Sequence, residues 1–89
     1  MKASDITAEI EAVLGTTKTN YRGWTIGITN DLERRKGEHT DQGHAVAAWR
    51  SWQADSEPIA KSVLDSFQRK GMDGDDGGGD GRSVFVYIF

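Results

Sequence analysis

The sequence contains no cysteine. That excludes disulfide frameworks, thiolate zinc sites and cysteine nucleophiles. It also lacks any apolar run near the roughly 20 residues that a membrane helix needs. The start, Met1-Lys2-Ala3-Ser4-Asp5, turns polar too early for the apolar core of a signal peptide. These absences lead us to expect a soluble, cytoplasmic protein with no membrane partner. Histidine is scarce: His39 and His44 are the only two, and they do not have the spacing of a zinc hydrolase. No glycine-flanked serine marks a nucleophile elbow. At 89 residues the chain fits one domain, residues 1–89, with a modest core.

The net charge is −3, which by itself argues against a nucleic-acid partner. The distribution changes that reading. Asp73, Asp75, Asp76 and Asp80 all fall in the glycine-rich stretch 71–81, so the remaining residues carry an excess of one positive charge. Arg22, Arg34, Arg35, Lys36 and His39 are candidates for a basic patch, although a solvated helix face explains the same charges. The stretch 71–81 fails as an EF-hand, because Gly77 and Val84 fall where the fifth and twelfth ligands belong. It reads as a solvated loop, with metal or partner binding as the alternative.

Apolar periodicity predicts the elements. Ser4 caps a first helix with Ile6, Ile10, Val13 and Leu14 on one face, ended by Gly15. Thr16 to Asn20 is a connector. A strand follows, with Trp24, Ile26 and Ile28 on one face and Thr25, Gly27 and Thr29 on the other. Asn30 caps a second helix in a box with Glu33, and Arg35 and His39 stand one turn apart on it. Ala45 to Trp52 reads as a second strand, with helix as its competitor. Pro58 opens the strongest apolar stripe, Ile59, Ala60, Val63, Leu64 and Phe67, which Gly71 closes. Ser83 to Phe89 forms a third, central strand. The expected fold is α+β, a small three-stranded sheet with three helices. Of the tryptophans, Trp24 and Trp49 are expected in the core. Trp52 is the expected exposed aromatic, available to stack on a base.

A strand turning into a helix with a cation just inside it suits phosphate handling. Arginine offers several permanent donors, and histidine exchanges protons near neutral pH. The segment Thr25-Ile26-Gly27, Ile28-Thr29, Asn30-Asp31-Leu32-Glu33-Arg34-Arg35-Lys36-Gly37-Glu38-His39 resembles the GIY-YIG nuclease superfamily. There a Tyr-Ile-Gly strand leads through a polar turn into a helix of the form Asn-x-Leu-x-x-Arg-x-x-x-His. The resemblance covers about fifteen residues, with a looser likeness of 56–64 to the family's last helix. It implies phosphodiester cleavage assisted by Mg²⁺ or Mn²⁺, with DNA or RNA as substrate. Arg35 takes the place of the family's arginine and His39 of its histidine, and Thr25 stands where the second motif tyrosine belongs.

Three departures follow. Thr25 has no phenol. The metal-binding glutamate expected near Val63 and Leu64 is absent, leaving Asp65 or Glu57 as substitutes. No Gly-Ile-Tyr strand precedes Trp24. Ser83-Val84-Phe85-Val86-Tyr87 resembles that missing strand. The resemblance therefore implies a circular permutation, with Phe85 at the first tyrosine's position and Tyr87 two residues on. It requires Val84–Ile88 to pair beside Trp24–Ile28. Two expectations compete. One is a degenerate nuclease relative that binds nucleic acid or a protein, with Arg22, Arg34, Lys36 and Trp52 in contact. The other is an active metal-dependent endonuclease. A mobile-element-borne inhibitory or interaction protein is the weaker third.

Overall fold

A computed structural model describes residues 1–15, 21–43, 49–75 and 84–89, apart from the side chains of Arg22 and Asp75. The predicted connector 16–20, His44 and the first part of the predicted second strand, 45–48, lie outside the described residues, as do 76–83 of the acidic stretch and its sequel.

The fold is α+β, with three helices and a four-stranded mixed sheet. In chain order the elements are α1 (Ala3–Leu14), β1 (Thr25–Thr29), α2 (Leu32–Asp41), β2 (Arg50–Gln53), α3 (Glu57–Lys70), β3 (Asp73–Asp75) and β4 (Phe85–Ile88); a 3-10 turn at Tyr21–Gly23 precedes β1. The strands lie in the order β2-β4-β1-β3. β4 runs antiparallel to both β1 and β2, and β3 runs parallel to β1.

The fourth strand corrects the expected three. Asp73–Asp75 was assigned to the acidic loop because Asp-Gly-Asp carries no apolar pattern. Backbone hydrogen bonds hold it instead: the Asp73 N–H donates to the Trp24 carbonyl at 3.1 Å, and Thr25, Ile26 and Gly27 register with Asp73, Gly74 and Asp75. The turn at Gly71 delivers it there. Gly71 has φ 119°, its N–H donates to Gln68 O, and the N–H of Met72 donates to Phe67 O. This left-handed exit from a helix suits glycine, which has no Cβ to clash. Gly71→Ala is expected to cost about 1–2 kcal/mol, read as a lowered urea midpoint with an unchanged slope.

Other boundaries move by one or a few residues. Asp31, not Asn30, caps α2: its Oδ1 accepts from the Arg34 N–H at 3.1 Å. The Thr29 hydroxyl accepts from the Asp31 N–H at 3.1 Å and so sets the turn one residue later. Ser4 lies inside α1, which starts from Lys2 with no side-chain cap. α1 ends at Gly15, where φ is 77°. Ser56 holds the cap position of α3, and Pro58 sits in its first turn.

One face of the sheet makes the core. Ile26 and Ile28 of β1 and Val86 and Ile88 of β4 pack with Ile6 and Ile10 of α1 and with Ala60, Val63, Leu64 and Phe67 of α3. Val13, expected on the α1 stripe, is exposed instead. Trp24 packs partly against this core, as expected. Trp52 corrects an expectation: it registers with Val86 and packs on the core rather than standing exposed. Alternation sends Thr25, Gly27 and Thr29 of β1, and Phe85 and Tyr87 of β4, to the opposite face. Among the described residues no helix is long and apolar enough to cross a membrane.

Candidate functional site

α2 has almost no apolar surface; Leu32 is half-buried and His39 is its one buried residue. Such a helix is held by specific side chains rather than by a stripe. Arg35 and His39, one turn apart, both reach the same atom on β4. The Arg35 Nε–H donates to Tyr87 Oη at 3.2 Å, and His39 Nε2 lies 3.2 Å from that oxygen. Tyr87 is fully buried and His39 is 4% exposed. The guanidinium also donates through Nη1 to Glu38 Oε1 at 2.8 Å, a helical i,i+3 pair. Guanidinium groups only donate, so the phenol oxygen accepts from Arg35, while the direction of its contact with His39 Nε2 follows the imidazole tautomer. The three groups form a closed chain of hydrogen bonds from α2 to the sheet.

Aromatic rings surround this chain. Trp49, just before β2, stacks on Tyr87 with ring centroids 4.5 Å apart and planes 9° from parallel. Phe89, just after β4, lies 15° from both rings, at 5.6 Å from Trp49 and 6.2 Å from Tyr87. His39 tilts against Phe89 at 4.5 Å. Trp49 was expected in the core. It packs instead on the opposite face, because residues 49 and 52 of an extended chain point to opposite sides. Phe89 and Glu38 were missed. The signal for Phe89 was the alternation Phe85, Tyr87, Phe89; for Glu38 it was the three-residue step from Arg35.

The exposed charges of α2 are of both signs: Arg34 and Lys36 stand among Glu33, Glu38 and Asp41. Arg34 and Lys36 are exposed. Arg34 Nη2 donates to Asn30 Oδ1 at 3.1 Å, and Lys36 Nζ stands over the Trp49 ring at 6.0 Å. Arg50, exposed and registering with Ile88, starts on the other face of the sheet, with Nη1 donating to the Trp49 carbonyl at 3.1 Å. The acidic strand β3 is at the other edge of the sheet from β2. Three strand spacings, about 14 Å, exceed the Debye length of about 8 Å at physiological salt. The negative charge of Asp73 is thus largely screened from Trp49 and Arg50.

The remaining sequence-predicted residues fall in three places. Thr25 is half-buried, and its backbone pairs with Phe89, donating N–H to O at 2.8 Å and accepting at 3.0 Å. Phe85 is half-buried and registers with Thr29 and Gln53. Arg22 lies in the 3-10 turn, its side chain outside the described set. Glu57 is half-buried at the start of α3, and Asp65 is exposed on α3 beside Gln68 and Arg69. α3 covers the core face, so the sheet separates it from the Tyr87 side. The structure therefore brings together Arg35, His39 and Tyr87 but not Asp65 or Glu57. A divalent cation held by these carboxylates would lie on the α3 side of the sheet, away from Arg35. Among the described residues no three His, Asp or Glu side chains gather as a metal site. No protein-family model, curated protein or solved structure matches the chain.

Proposed function

We propose that this chain is a permuted, GIY-YIG-like domain that binds nucleic acid through Arg34 and Lys36 of α2 and does not cleave it. The observation that carries the proposal is the state of Arg35. Its guanidinium is tied to a buried phenol and to Glu38, so it anchors α2 and leaves Arg34 and Lys36 outermost. The antiparallel pairing of β4 with β1 supports the permutation, since a moved first strand must lie beside β1. The placement of Asp65 and Glu57 across the sheet supports loss of cleavage, because a metal ion is the largest local charge in such a site.

The test uses the whole chain with fluorescein-labelled 20-mers, single-stranded and duplex, of DNA and RNA. Fluorescence anisotropy is expected to show binding that weakens as salt rises. In the Arg34→Ala/Lys36→Ala double variant, binding should weaken alike on every sequence, and the salt slope should fall by about 2. Incubation with Mg²⁺ or Mn²⁺ should leave the strands intact. Metal-dependent cutting that Arg35→Ala abolishes would establish the endonuclease reading instead. Absence of binding to all four probes would overturn the proposal and favour a protein partner.

A further inference from the structure

We infer that Asp73-Gly74 is a site of isoaspartate formation, a modification that lengthens the main chain of β3 and unpairs it from β1. The inference is independent of the nucleic-acid reading above.

The chemistry starts from the residue pair. The amide nitrogen of Gly74 attacks the side-chain carboxyl carbon of Asp73. A new N–C bond forms, the amide proton leaves with the carboxyl hydroxyl as water, and a five-membered succinimide results. Water then opens the ring. Attack on the side-chain carbonyl restores aspartate. Attack on the main-chain carbonyl leaves the chain running through the side-chain carboxyl, one methylene longer. Glycine favours the first step because it has no side chain to shield its nitrogen.

The fold leaves that nitrogen open to the reaction. β3 is an edge strand of the described sheet, and Asp73 and Gly74 are both exposed. The Asp73 N–H donates to the Trp24 carbonyl. Successive N–H groups of a strand point to opposite sides, so that of Gly74 points away from β1. Ring closure also turns the Asp73 carbonyl out of the ladder, and the ends of a short edge strand open most readily. Packing favours glycine here as well. A Cβ on residue 74 would run into the side-chain amide of Gln68 on α3. The bare Cα of Gly74 thus permits both the close approach of Gln68 and the cyclisation. Asp76-Gly77 and Asp80-Gly81 share the sequence but lie outside the described residues.

The consequence lies in the register. Asp73, Gly74 and Asp75 pair with Thr25, Ile26 and Gly27. An added main-chain atom in residue 73 displaces Gly74 and Asp75 from their partners. β4 still holds the other edge of β1. The modified chain therefore stays folded with one β1 edge open, and such edges recruit other chains.

The experiment ages the full chain at neutral pH. The tryptic peptide Gly71–Arg82 is then read by mass spectrometry, with electron-transfer fragmentation to locate isoaspartate. We expect it to accumulate at Asp73. In the purified isomer the Ile26 amide should lose its protection against hydrogen exchange. That amide faces β3, because Thr25 next to it pairs with Phe89 on the β4 side. The Gly27 amide faces β4 and should stay protected. Asp73→Glu, which would have to close a six-membered ring, should lose the signal. Gly74→Ala should reduce it, since the exposed Gln68 side chain can swing aside for the methyl group. Circular dichroism checks that both variants fold. Isoaspartate confined to other aspartates, or absent, would overturn the site. Isoaspartate at Asp73 with Ile26 still protected would overturn the unpairing.

Discussion

Tyr87→Ala is expected to lower stability by about 3–5 kcal/mol, a large share of the 5–15 kcal/mol typical of folded chains. The ring is fully buried and supports Trp49 at 4.5 Å. Its loss leaves a void and takes away the oxygen that receives Arg35 and meets His39. Tyr87→Phe separates the two effects. It keeps the ring and removes only the hydroxyl, leaving the buried His39 Nε2 without that contact, at about 1–3 kcal/mol. For a chain of this size the second variant should melt roughly 5–20 °C lower and the first still lower, followed by circular dichroism. A Tyr87→Phe protein with the wild-type Tm would show that the phenol does not hold α2 to the sheet.

Phe67→Ala is the second large effect, also about 3–5 kcal/mol. Phe67 is fully buried at the centre of the α3 stripe. The Tyr21 ring lies 6.2 Å from it, and Lys70 Nζ is 4.6 Å over its face. Its removal opens a cavity between α3 and the rings and side chains that pack on it. With a urea slope of about 1 kcal/mol/M, typical at the small end of the range, the midpoint should fall by roughly 3 M or the chain should fail to fold. Asp65→Ala on the same helix is the control. Its side chain is exposed, so a change within about 0.5 kcal/mol is expected. A larger loss at Asp65 than at Phe67 would contradict the assignment of the core face.

These two residues also show where reading the sequence succeeds and where it stops. The α3 stripe was legible because five apolar side chains recur at helical spacing between a proline and a glycine, and the same period buries four of them and half-buries Ile59. β1 was legible as an alternating strand and β4 as a central strand with apolar residues on both faces. β3 was not, because the side chains of Asp-Gly-Asp say nothing about pairing; its strand character comes from main-chain bonds to β1 that only the folded register supplies. The helix cap moved by one because Asn30 and Asp31 are both good caps, and the Thr29 hydroxyl chose between them. Arg35 and His39 on one face followed from a four-residue step. Their meeting at Tyr87 did not, since it joins residues 52 and 48 positions apart. Trp49 and Trp52, three residues apart on an extended chain, take opposite faces, but which face carries the thick core depends on where α1 and α3 settle.

The position of β4 between β1 and β2 has a consequence for how the chain assembles. β1 and β2 do not touch each other as sheet neighbours; each finds its antiparallel partner only in residues 85–88. During synthesis those residues leave the ribosome after every other strand and helix described. Until then the Thr25–Thr29 segment, with two isoleucines, keeps the edge that faces β4 open, and such edges recruit other chains. Non-local pairing of this kind places folding toward the slow end for small proteins. α1 and α3, which pack on each other, are the elements available to shelter those isoleucines while the nascent chain waits for its central strand.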